Sequence, residues 1–210
     1  MKPLYGIYGA SGFGRECLPF VRSEDVETIF IDDGMAGQTA NGCDIVTFEQ
    51  FVAKEASDKS VTIAIADAKI RLALASKLSG HGINILSIRH PSVVQMDNVQ
   101  IHEGAILCAF VTLTSNITIG RHFHANIYSY VAHDCVVGDF VTFAPAVKCN
   151  GNVVIEDGAY IGTGAILKQG APNKPLVIGR GATVGMGAVV TKDVAAGEIV
   201  VGNPARPINR

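Results

Sequence analysis

The sequence predicts two unlike domains in one chain. Residues 1–90 read as an α/β domain of half-Rossmann size, and residues 91–210 as a parallel β-helix. Three observations carry this. Strand-like and helix-like runs alternate over the first ninety or so residues. A glycine-rich loop follows the first strand directly. From Ile101 onward an apolar or small residue recurs at every sixth position.

In the first part, Leu4 to Tyr8 is a short apolar strand that runs into Gly9-Ala10-Ser11-Gly12-Phe13-Gly14. Arg15 to Val21 can form a helix, although Pro19 sits where a helix interior disfavours proline. Val26 to Ile31 is a second strand, closed by Asp32-Asp33-Gly34. Ser60 to Ala66 is a third, closed by Asp67. Lys69 to Leu78 has helix composition and stops at Gly80 and Gly82. Ile83 to Ile88 reads as a fourth strand.

The loop has a chemical use. Glycines let the backbone turn sharply after a strand and approach a phosphate, while the unpaired N–H groups of the next helix bind the anion. An acidic residue at the end of the following strand, about 20 residues on, suits ribose hydroxyls; Asp32 and Asp33 stand there. The spacing Gly9, Gly12, Gly14 is GxxGxG rather than the GxGxxG of dinucleotide enzymes. A bare strand-to-helix turn is the plain alternative. The half-sized unit favours a mononucleotide with one pyrophosphate over a dinucleotide.

The second part is a repeat. Ile101, Leu107, Leu113, Ile119, Ala125, Val131, Val137, Phe143, Cys149, Ile155, Ile161 and Leu167 stand six apart. Neither a helix nor an alternating strand has this period; a hexapeptide β-helix does, with three hexapeptides per coil. Ile101, Ile119, Val137 and Ile155 then stack through the core. Gly120, Gly138 and Gly162 relieve crowding at the corners. The register breaks over residues 168–177, which reads as a loop extruded from one corner, and resumes at Ile178, Val184 and Val190.

Composition excludes several classes. Charged residues are 17% of the chain and the formal net charge is −2. This is not a disordered chain, and it has no basic footprint for nucleic acid. No apolar run suits a membrane span, and the N-terminus lacks a signal-peptide pattern, so a cytoplasmic protein is expected. The five cysteines form no CxxC pair and read as reduced, packed thiols. Sparse charge with a 48% apolar share suggests surface buried in an oligomer.

With the Gly-Asn-Pro-Ala-Arg run at Gly202 to Arg206, the second half resembles the left-handed β-helix acyltransferases. Over essentially its whole length the chain is similar to the acetyltransferases of nucleotide-linked amino sugars. These bacterial enzymes use acetyl-CoA to N-acetylate UDP- or dTDP-linked amino-dideoxysugars, here expected at a 4-amino-4,6-dideoxysugar. Four landmarks carry the resemblance: the loop from Gly9 to Gly14, the pair Asp32-Asp33, the junction His90-Pro91-Ser92, and the run His133-Asp134-Cys135. The resemblance implies a left-handed coil, against the usual hand of crossovers. It also implies a homotrimer with acetyl-CoA lying between neighbouring β-helices.

Acetyl transfer to an amine needs a base, an oxyanion donor and held substrates. Six histidines are available. From residue chemistry alone His133 is one candidate among them. His81 reads as an exposed turn residue and His90 as structural. His102 faces outward. His122 and His124 form an HxH pair that lacks a third metal ligand and reads as solvated or intersubunit, so no metal is expected. The resemblance selects His133 as the base, with Asp134 as the acidic neighbour that raises its basicity. Adjacent strand residues face opposite ways, so the two can meet only at a coil corner or across a subunit boundary. Gly151 is expected to supply the oxyanion N–H, and Asn126 to position the sugar or carbonyl. Ser11, Gly12 and Phe13 would lie at the phosphates, with Asp32 and Asp33 at the base or ribose. The resemblance further implies CoA contacts at Thr163 and Gly185, and at Thr142, where some members carry His. Phe13 departs from a histidine common at its position. Two alternatives remain at this level: an O-acetyltransferase of sialic acid or a related sugar, and a non-catalytic sugar-nucleotide-binding trimer.

Overall fold

The computed structural model describes residues 1–208. The chain divides into two compact units, Met1–Ile88 and the residues from Arg89 onward. The expected boundary at residue 90 falls two residues later.

The first unit runs β1 (Leu4–Tyr8), α1 (Gly12–Val21), β2 (Glu27–Ile31), β3 (Thr39–Ala40), β4 (Cys43–Val46), α2 (Phe48–Ala53), β5 (Lys59–Ile63), α3 (Ala68–Gly80) and β6 (Asn84–Ile85). The sheet order is β3-β4-β2-β1-β5-β6. All its pairings are parallel except the β3–β4 hairpin. The chain therefore leaves β1 on one side, through β2 and β4, and returns on the other as β5. The crevice above the carboxyl ends of β1 and β5 is a topological switch point, where open α/β sheets bind ligands. Phe48, Phe51, Ile31, Ile63 and Leu78 pack one face of the sheet; each such side chain contributes about 1.5–3 kcal/mol on burial.

Several expected bounds are corrected. Helix α1 starts at Gly12, not Arg15, so Gly12 and Gly14 belong to its first turn. It continues through Pro19, which is exposed and sacrifices one helix hydrogen bond. Strand β5 ends at Ile63 rather than Ala66, and β6 is only two residues long. The hairpin and α2 were not anticipated. Helix α2 has a reciprocal capping box, with Thr47 Oγ1 accepting from Gln50 N and Gln50 Oε1 accepting from Thr47 N.

The second unit is a parallel β-helix of short strands gathered in three sheets. As far as Leu167 the strands pair with their equivalents 18 residues on, as in Ile101↔Ile119, Ile119↔Val137 and Val137↔Ile155. The hexapeptide column points inward from end to end; only Ile101, in the first coil, is less than buried. A second column, two residues before the first, is buried as well: Val111, Ile117, Phe123, Ser129, Cys135 and Val141. Each hexapeptide thus sends two side chains into the core.

The corners follow one backbone rule. Every sixth residue from Asn98 to Gly164 has a positive φ, whether or not it is glycine. One corner column is Asn98, Asn116, Asp134, Asn152; we term it the histidine corner, because His133 precedes Asp134. The arginine corner is Gly104, His122, Phe140, Gly158, and the aromatic corner is Phe110, Tyr128, Ala146, Gly164. The expected crowding is real at Gly120 and Gly162. A side chain there would meet the backbone of the next coil at 2.5 and 2.6 Å. Beyond Leu167 the pairing Val153↔Leu176 spans 23 residues instead of 18, so five residues are inserted. They form a small loop closed by the Ala171–Lys174 bridge, and it leaves from the histidine corner.

Candidate active site

At the histidine corner His133 Nδ1 lies 2.7 Å from Asp134 Oδ2. Neighbours in sequence meet because Asp134 adopts φ +57°, which folds its carboxylate back beside the preceding side chain. Of the two routes left open by the sequence, the coil corner is the one taken. The hydrogen bond to His133, then one from Asn116, holds the Asp134 carboxyl below the usual carboxylate range. With Nδ1 committed to the carboxylate, Nε2 is the ring nitrogen left to act on a substrate. The imidazole lies over Gly151, its equivalent one coil later. A Cβ on Gly151 would stand 2.5 Å from both Cε1 and Nε2. Among the described residues, none accepts a hydrogen bond from the Gly151 N–H. His133 O in turn accepts from Asn152 N at 3.0 Å, which pins the backbone of the pair.

The extruded loop is two coils beyond His133 on the same corner. A cavity of about 540 Å³ at its base is lined by Lys168, Lys174, Lys192, Thr191 and Asp193, among others. This local excess of ammonium groups suits an anion.

The other expected contacts are placed elsewhere. Asn126, Thr163 and Gly185 all fall at the aromatic corner, not beside His133. The Asn126 amide donates to Phe143 O at 2.9 Å, which leaves its Oδ1 available. Thr163 is exposed and Gly185 half-buried. Thr142 is 2% exposed, so its side chain does not reach the surface of the unit.

In the first unit the glycine loop caps the switch point. Gly14 packs helix α1 so tightly on β1 that a Cβ there would overlap Gly9 O, whereas Gly12 opens onto free space. The Ser11 hydroxyl makes no capping hydrogen bond to α1. Phe13, half-buried in the first turn, cannot supply the polar contact of a histidine. Asp32 is bound locally: Oδ2 accepts from Ala10 N and Oδ1 from Gly34 N, both at 3.2 Å. Asp33 Oδ1 accepts from Phe48 N at 2.9 Å. The aspartates therefore tie the loop to the ends of β2 and α2, with lone pairs to spare. Burial, then Asp33, Glu49 and Asp32, pushes the Tyr8 phenol up to about 12, so it stays protonated.

Sequence reasoning missed two arginines here. Arg15 reaches back from α1 to Ala10 O at 3.1 Å and brings a cation to the loop. Arg71 is fully buried and clamps the turn after β5 through Ile65 O and Ala66 O at 2.6 and 3.0 Å. Burial lowers it to about 10, against an opposing effect of Asp67, so it remains charged. An arginine one turn into α1 and into α3, the helices that follow β1 and β5, was the available signal.

The remaining histidines divide clearly. His81 and His102 are exposed, and His90 is tied to Ser92 Oγ at 2.7 Å. The solvated reading of the HxH pair is corrected: His122 and His124 are 4% and 0% exposed. His122 stacks on Phe140 with ring centroids 4.9 Å apart, between coils, which explains its burial. No group of three or more metal-ligating side chains occurs among the described residues. All five cysteines are buried free thiols. No helix among the described residues is long and apolar enough to cross a membrane.

The chain matches the family model of the PglD N-terminal domain over residues 6–78. It is 50% identical to the GDP-perosamine N-acetyltransferase of Escherichia coli O157:H7, over 99% of this chain and 97% of that protein. WeeI from Acinetobacter baumannii AYE superposes with a TM-score of 0.96 at 55% identity, covering 99% of this chain and 100% of WeeI. The acetyltransferase domain of PglB from Neisseria gonorrhoeae FA1090, solved with acetyl coenzyme A, gives 0.89 at 25% identity, covering 99% and 100%. With near-complete coverage at half identity, the chain belongs to the nucleotide-amino-sugar N-acetyltransferase family.

Proposed function

We propose that this protein transfers the acetyl group of acetyl-CoA to the 4-amino group of a nucleotide-linked 4-amino-4,6-dideoxysugar, with GDP-perosamine the first substrate to try. The observation that carries the reading is the His133–Asp134 pair, with Nδ1 held and Nε2 presented. The substrate comes from the E. coli relative's name, and the acetyl donor from the PglB complex. The chain's own residues support that donor: Lys168, Lys174 and Lys192 line one cavity and would offer cations to the CoA phosphates.

In this reading neutral His133 takes a proton at Nε2 from the sugar amine as its nitrogen attacks the thioester carbonyl. Asp134 stabilises the imidazolium. The Gly151 N–H holds the oxyanion of the tetrahedral intermediate. The C–S bond then breaks, and the imidazolium returns the proton to the CoA thiolate. Ser11, Gly12 and Arg15 hold the phosphates, and Asp32 and Asp33 the ribose or base.

A homotrimer belongs to the reading. Asn126, Thr163 and Gly185 stand on a different corner from His133, so they serve the same reaction only if a neighbouring copy brings its aromatic corner to this histidine corner. Both substrates are intracellular metabolites and a nucleotide-linked product is a glycosyl donor; we therefore place the reaction in the cytoplasm, ahead of glycosyl transfer to a bacterial surface glycan.

The test is acetyl-CoA consumption with GDP-, UDP- and dTDP-linked 4-amino-4,6-dideoxysugars and free sialic acid. Turnover of a nucleotide-linked amine with a new N-acetyl group supports the reading. Turnover of sialic acid alone replaces it with O-acetylation, and no turnover of any leaves a binding trimer.

A further inference from the structure

The histidine corner carries a chain of side-chain amides that ends on the Asp134 carboxylate. Asn98 Nδ2 donates to Asn116 Oδ1 at 3.2 Å, and Asn116 Nδ2 donates to Asp134 Oδ1 at 3.2 Å. The three residues stand 18 apart, on successive coils, with φ of +55°, +58° and +57°. We propose that Asn116 is a positioning residue for acetyl transfer, its amide fixing Oδ1 of Asp134 so that Oδ2 stays on Nδ1 of His133. The inference rests on the reading of His133 and Asp134 given above.

The direction of the chain follows from its end. An ionised carboxylate only accepts, so the Asn116 group facing it must be the NH₂. That turns Asn116 Oδ1 toward the preceding coil, where the Asn98 NH₂ meets it. Each amide is oriented by the next, and the carboxylate orients them all. The carboxylate gains in return. Its two oxygens have separate donors, Asn116 on Oδ1 and His133 on Oδ2, so rotation about the Cβ–Cγ bond would break both hydrogen bonds at once. The site is exposed: water competes with each hydrogen bond, and an untethered Asp134 would spend time turned away from the imidazole. An aspartate at position 116 would face Asp134 with a second negative charge, and a leucine would leave Oδ1 to solvent.

Asparagine also tolerates the left-handed backbone better than most residues, and this alone would account for its presence. The experiment separates the two roles. Asn116→Gly keeps the positive φ at no steric cost and removes only the amide. The expected result is a three- to tenfold fall in kcat, with KM for both substrates and Tm near parental values. In an Asp134→Asn background the same change should have no further effect, because the carboxylate it positions is gone. Parental kcat in Asn116→Gly beside a slowed Asp134→Asn overturns this inference and leaves the reading of the pair intact. Parental kcat in Asp134→Asn overturns that reading, and the inference with it. Equal losses from Asn116→Gly in both backgrounds would also overturn it, since they would show an effect that does not pass through Asp134.

Discussion

Two corners of the same β-helix show what separates a scaffold from a site. Both repeat every 18 residues, both hold non-glycine residues at positive φ, and both carry charge. At the arginine corner the charges close on one another. Arg121 binds Asp139 through its guanidinium and its backbone N–H, at 2.7 Å in the shortest contacts; Asp139 N donates to Asp157, and Arg180 pairs with Asp157 at 2.8 Å. At the histidine corner the chain runs from Asn98 through Asn116 and Asp134 to His133 and stops at Nε2. A polar chain that ends on an unspent basic nitrogen, above a glycine that leaves room for it, is equipped to act on something else. A chain that closes holds coils together.

The comparison can be broken most sharply at His133. His133→Ala should lower kcat by roughly 10²- to 10⁴-fold, the span of general base catalysis, while acetyl-CoA binding and oligomer mass persist. Gly151→Ala should follow, at about tenfold or more, because a Cβ 2.5 Å from the imidazole forces it off its position and an ångström of misplacement at a reacting group is costly. Kinetics of the folded variant check this; unchanged kcat would remove Gly151 from the site. Asp32→Ala should act on the other unit, raising KM for the nucleotide sugar about tenfold, which corresponds to about 1.4 kcal/mol. An effect confined to acetyl-CoA would reverse the roles of the two units.

Arg121→Ala is the smallest change and the sharpest contrast: kcat should not move, and stability should fall by about 1 kcal/mol or less, as for a partly exposed ion pair. Its pH dependence has a definite sign. Burial pushes the Asp139 carboxyl up, but its bonds to the Arg121 side chain and backbone outweigh this and leave it below the ordinary range. A group lowered in the folded state stabilises above its unfolded pKa, near 3.9 for Asp, and that stabilisation is lost as pH falls through the lowered value. Melting curves of parent and variant should therefore converge in acid; a gap that persists there would show that the pair acts by packing.

The repeat was legible because the core of a β-helix imposes an inward apolar or small residue at one fixed position of every hexapeptide, and twelve positions obey it. The glycine loop and the alternation around it were legible for a similar reason. The way Asp134 meets His133 was not. It depends on a left-handed backbone that the chain adopts with Asn, Asp, His, Phe, Tyr and Ala as well as with glycine, so no residue type marks it. The Asn98, Asn116, Asp134, Asn152 column was visible at a spacing of 18, but its sense appears only once a coil length is known. Helix α2 was missed because residues 35–58 carry no clear period, although the Thr47–Gln50 capping pair was there to find. The separation of Asn126, Thr163 and Gly185 from His133 follows from which of three corners each residue occupies. A resemblance carried over residue by residue says that they share a site, not that one chain brings them together.

The central claim is that His133, held by Asp134, is the base for acetyl transfer to a nucleotide-linked amine. The most direct test is the single-turnover rate of acetyl transfer from acetyl-CoA to GDP-perosamine, measured for the parent and His133→Ala at saturating concentrations of both substrates. The account predicts formation of the N-acetyl product by the parent and a loss of at least a hundredfold in the variant. Equal rates for the two proteins would contradict it.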